Sequence, residues 1–74
     1  MKKKMLKEYT AIIKQEGKYW IGWIEEVPGV NCQEYNYDDL VESLKVTLQE
    51  ALELNRKDAI AAAGRSYQEI TISV

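Results

Sequence analysis

The side chains in this sequence that could do chemistry are two carboxylate pairs, Glu25-Glu26 and Asp38-Asp39, one thiol, Cys32, and the hydroxyls of Ser43, Ser66 and Ser73. Carboxylates gathered at one end of a sheet could hold divalent cations and assist hydrolysis. A thiol or hydroxyl beside a base could act as a nucleophile. Each of these chemistries needs a partner, and the partners are missing. The chain has no histidine, the commonest general base and transition-metal ligand. No serine stands in a G-x-S-x-G turn, and no glycine-rich loop is present to cradle a phosphate. Cys32 has no basic neighbour in sequence, so it reads as a strand cysteine packed for its bulk. Asp38 and Asp39 have a structural use. They follow Asn36 at the start of an amphipathic segment, where acids complement the helix dipole.

The elements that would position these groups are legible from periodicity. Residues 8 to 15 alternate, with Tyr9, Ala11 and Ile13 on one face, as in a half-buried strand. Glu16-Gly17-Lys18 is a hairpin turn. Residues 19 to 25 form a second strand, apolar on both faces, which predicts a central strand covered on each side. Gly22 between Ile21 and Trp23 predicts close approach of another element. Pro28 presets φ for the first corner of a turn and Gly29 accepts the positive φ of the second, as a type II turn requires. Residues 30 to 35 give a third strand with Val30 and Cys32 inward.

Asn36 is a good helix N-cap, and Asp39 can reach back toward it in the manner of a capping box. Leu40, Val41, Leu44, Leu48, Ala51 and Leu52 then fall within an arc of about 120°. Residues 57 to 63 either prolong this helix or form a separate turn, and Gly64 stops it. Residues 67 to 74 alternate again, with Ile70, Ile72 and Val74 expected inward. The predicted fold is α+β, in the order β-β-β-α-β. A right-handed crossover makes it a four-stranded mixed sheet of order 3-2-1-4, with one long helix on one face.

Seventy-four residues make one domain, with a core over residues 8 to 74 and a basic terminus at residues 1 to 7. A chain of this size buries only about 60% of its extended surface, so self-association or a partner would help it. The net charge of −2 gives no overall reason to bind nucleic acid. One cysteine excludes an internal disulfide and permits a reducing compartment. The lysines at 2, 3, 4 and 7 resemble the start of a signal peptide, but no apolar core follows. The expected location is therefore cytoplasmic, with no membrane association.

In order and spacing the chain resembles the HicB-like antitoxin domain of prokaryotic toxin–antitoxin systems, which has a partial ribonuclease-H-like fold. The residues carrying the resemblance are Tyr9-Thr10-Ala11-Ile12-Ile13 and Gly17-Lys18-Tyr19-Trp20-Ile21-Gly22-Trp23-Ile24. They continue through Glu26-Val27-Pro28-Gly29, Gln33 and the helix from Asn36. The resemblance implies a protein without enzymatic activity or cofactor that binds and silences a small, basic, mRNA-cleaving toxin of the HicA type. It also raises the question of metal-dependent nuclease activity. Ribonuclease-H-like enzymes place an aspartate on the first strand, where this chain has Tyr9, Ala11 and Ile13. Many family members carry a further DNA-binding domain. This sequence ends at Val74, which implies no specific binding to operator DNA. The family often has a cysteine directly after Pro-Gly, where this chain has Val30.

The expected partner-binding residues lie on the outer helix face, where Val46 is an apolar centre among Glu42, Gln49, Glu50 and Glu53. An apolar centre in an acidic rim suits a basic partner. The exposed sheet edge and the Glu25–Glu26 end are competing sites. A second reading makes the chain a homo-oligomeric scaffold or other protein-interaction module, a homodimer or higher, without a toxin partner. The aromatic residues Tyr9, Tyr19, Trp20, Trp23 and Tyr35 could stack on single-stranded nucleic acid. Without interleaved basic residues they read as sheet core plus an exposed aromatic patch.

Overall fold

A computed structural model of the chain describes residues 8–74, so the basic stretch 1 to 7 lies outside the described residues. The chain forms β1 (Ala11–Glu16), β2 (Tyr19–Ile24), β3 (Asn31–Glu34) and α1 (Tyr37–Ala63) in that order. The strands make one antiparallel sheet of order β1-β2-β3. Gly17 and Lys18 join β1 to β2, opposite the pair Glu16 and Tyr19. Gly17 has a φ of 61° and Lys18 does not share the positive φ, the pattern of a type II′ hairpin turn. Gly29 has a φ of 95°, and the Val30 amide donates to the Val27 carbonyl at 3.3 Å, which closes the expected Pro-Gly turn.

The helix begins at the expected cap. The Asn36 side chain accepts from the Asp39 amide at 2.8 Å, and its own amide donates to the Asp39 carboxylate at 2.9 Å. The helix runs unbroken through residues 57 to 63. It ends at Gly64, whose amide donates to the Ile60 carbonyl at 3.1 Å. Its apolar arc packs on β2 and β3. The core is Ile24, Val27, Val30, Leu40 and Leu44, with Tyr9, Ile13, Trp20, Cys32, Leu48, Ala51 and Leu52 packed around it. Gly22 lies under the helix. A methyl group placed there would stand 3.1 Å from the Leu44 Cδ1 and 3.1 Å from the Ile12 carbonyl oxygen.

Two expectations are overturned. The sheet has three strands, all antiparallel, and the four-stranded mixed sheet of order 3-2-1-4 is not formed. Residues 67 to 74 form no strand. Ile70 and Ile72 are each 76% exposed, where an inward strand would have buried them. Alternation describes what a segment can do once an edge receives it. Here the segment departs from the far end of a 27-residue helix and lies beside that end. The second correction concerns β2. The helix covers one face of the central strand and no described element covers the other. Ile12 and Trp23 on that face are each 39% exposed. No helix of the described residues is long and apolar enough to cross a membrane.

Candidate functional site

The outer face of α1 is built by the same periodicity that buries its inner face. Leu40 and Leu44 lock the rotation of the helix, because both are almost fully buried against the sheet. With that rotation set, Glu42, Val46, Gln49, Glu50 and Glu53 fall within about 100° of arc on the opposite side. All five are exposed. Val46, Gln49, Glu50 and Glu53 line one shallow depression together with Leu52 and Arg56. Glu42 stands one turn toward the N-terminus of the helix. No hydrogen bond or ion pair among the described residues engages Glu42, Glu50 or Glu53. Their charges are thus presented to solvent around a valine.

Arg56 is the one cation in this depression. Its guanidinium donates to both carboxylate oxygens of Glu69, at 3.3 and 3.1 Å, and this pairing raises its pKa further above the ordinary value. Arg56 is therefore directed at the segment after the helix, and the acidic character of the face survives. Sequence reasoning missed Arg56 as a member of this surface; continuity of the helix past residue 56 was the signal that places it there. Leu52, expected on the buried arc, does pack around the core and also reaches the border of the depression.

Glu25 and Glu26 do not join this face. Both are exposed in the turn after β2, and no described hydrogen bond or ion pair connects them to the helix. Glu26 is also occupied. Its carboxylate accepts from the Thr10 amide at 2.7 Å and the Thr10 hydroxyl at 2.8 Å. Comparison of the chain with protein-family models, curated proteins and solved structures gives no match.

The other chemistry-bearing residues have structural surroundings. Asp39 holds the cap, and among the described residues no three of Cys, Asp and Glu gather closely enough to share a metal ion. Cys32 is half-buried with its Sγ 3.5 Å from the Thr47 hydroxyl. Ser43 donates to Glu34 at 2.7 Å, tying the helix to β3. The aromatic residues do not form one platform, because the pleat divides them. Tyr9 and Trp20 pack against the core, and Trp20 meets Tyr37 edge-on at 5.4 Å. Tyr19 stacks on Tyr35 at 5.0 Å on the uncovered face, which also carries Ile12, Ile21 and Trp23.

Proposed function

We propose that this chain is a non-catalytic, HicB-like antitoxin that binds a small basic HicA-type ribonuclease toxin in the cytoplasm and covers its RNA-cleaving surface. The observation that carries the reading is the outer face of α1, where Val46 is 46% exposed between unpaired carboxylates. A ribonuclease must present positive charge to hold its substrate. An inhibitor that offers carboxylates to that surface competes with the phosphates for the same cations. An apolar centre within the acidic rim adds desolvated contact, the usual anatomy of a specific interface. The family resemblance supports the same reading through the β-β-β-α order and the Pro-Gly turn, both present in the fold.

The test starts from the genome. A neighbouring frame encoding a short, lysine-rich protein with a Gly-Ser-His-like segment is the expected partner. Co-expression of this chain should restore growth arrested by that protein, and the two should co-purify. Independent toxicity in the presence of this chain, with no co-purification, would remove the reading. A second reading, a protein-interaction scaffold without a toxin, is favoured by one observation. The uncovered sheet face carries Ile12, Trp23 and Tyr35 in solvent.

A further inference from the structure

Segment 67–74 places Gln68, Ile70, Ile72 and Val74 on one side and Tyr67, Glu69, Thr71 and Ser73 on the other. This is the pattern of a half-buried strand, yet its isoleucines stand in solvent. Its contacts are with the last turns of its own helix. Arg56 holds Glu69, and Tyr67 and Ile70 border Ala59 and Ile60. The helix spans about 40 Å, roughly twice the length of a six-residue strand. Gly64, with φ 74°, and Ser66, with φ 52°, turn the segment back beside this far end.

At the other side of the molecule β1 is an open edge. The Glu25 amide donates to the Thr10 carbonyl at 2.9 Å, which sets the alternation of the β1–β2 ladder. Ile12, Lys14 and Glu16 bond to β2, so the backbone groups of Ala11, Ile13 and Gln15 point outward. No described strand pairs with them. Because α1 packs on β2 and β3, an apolar groove of about 160 Å³ lies between β1 and the helix. Tyr9, Ile13, Val41 and Leu48 are on its walls. Such an edge accepts an added strand through main-chain hydrogen bonds, and the pockets beside it select alternate side chains.

We propose that a second copy of this chain supplies that strand: segment 67–74 of each copy adds to the outer edge of β1 in the other and lays Ile70 and Ile72 over the groove. Every copy carries both halves of the contact, so the exchange is reciprocal and closes as a two-fold dimer. Both grooves are then filled for one association event. Val46 and the carboxylates of the outer face of α1 take no part in this contact, so the dimer does not require the proposed antitoxin activity, although release of Glu69 frees Arg56 at the border of that face.

Light scattering over a concentration series tests it and should show twice the chain mass. Ile70→Asp with Ile72→Asp should raise the dissociation constant about tenfold or more, because each aspartate would be buried without a partner. At a dilution where both proteins are single chains, the variant and the unmodified protein should give the same circular dichroism, since both side chains are exposed in the single chain. Ala11→Pro with Gln15→Pro should weaken the dimer from the other side. It removes two outward amides and leaves the β1–β2 bonds intact. The two variants mixed retain one good segment and one good edge, and should form a one-to-one heterodimer that neither forms with itself. A monomer at every concentration, a dimer indifferent to both variants, or a mixture without heterodimer would overturn the proposal.

Discussion

The Glu26 carboxylate clasps Thr10 twice, through the amide at 2.7 Å and the hydroxyl at 2.8 Å. This links the turn after β2 to the residue before β1 and holds the first strand in register from outside the ladder. The two donors, the amide first, keep the Glu26 carboxyl below the ordinary carboxylate range. A folded pKa below the unfolded one contributes stability above the unfolded pKa, and that stability is lost as pH falls through the folded value. Glu26→Gln should therefore lower the melting temperature at neutral pH and flatten part of its fall in acid. Parallel acid profiles for the two proteins would show that the clasp adds no stability.

Gly22 should not accept even a methyl group. Its Cβ would press on the Ile12 carbonyl oxygen and Leu44 Cδ1, each at 3.1 Å, and on Ile13 Cγ1 at 3.2 Å. The backbone oxygen cannot rotate away as a side chain can. Gly22→Ala is expected to destabilise by about 1–3 kcal/mol, as overpacking does elsewhere. Urea denaturation would measure it, and an unchanged midpoint would mean that the helix can lift off β2 at no cost.

The helix phase gives a third prediction. Leu44 is 3% exposed, so Leu44→Asp places an unpaired charge in the core and should unfold a domain of this size. Val41→Asp should destabilise less, because Val41 is only half-buried on the wall of the groove. Glu42→Lys, on the solvent side, should melt with the unmodified protein. Thermal melts followed by circular dichroism should rank the three in that order.

Local signals in this sequence translated well into structure where a single residue type decided the geometry. Asn36, Gly29 and Gly64 each stand where few residue types fit, a helix N-cap and two backbone positions of positive φ, and each sits at the cap or turn its type implied. The helix stripe was legible because burying one arc sets every other position. Segment 67–74 was misread because alternation specifies a strand but not the edge that receives it. The two apolar faces of β2 were misread for a related reason: apolar character shows that a face can be covered, not that this chain covers it. Among the candidate site residues, those on the helix inherit its phase and converge. Glu25 and Glu26, the competing site at the sheet end, stay apart from the helix face, and Glu26 turns toward Thr10.

The partner surface gives the last prediction. Glu42 and Glu50 lie two turns apart on the same exposed face, with Val46 between them. Reversing both charges changes the sign of the rim without entering the core. Close charge pairs at interfaces couple by about 1.5–7 kcal/mol, whereas rim pairs act mainly on association rate. Glu42→Lys with Glu50→Lys is therefore expected to weaken binding to a basic toxin by about an order of magnitude or more, with the melting temperature unchanged. Val46→Asp should weaken it through a different cause, because a carboxylate at the centre of the patch must be desolvated on binding. Added salt should reduce affinity in the unmodified protein and reduce it less in the charge-reversed one, which has fewer attractive pairs to screen. Calorimetric titration of the toxin into each variant at two ionic strengths separates these effects. If affinity is the same in all of them, the contact lies off the helix, and Trp23→Ala on the uncovered sheet face becomes the variant expected to lose binding.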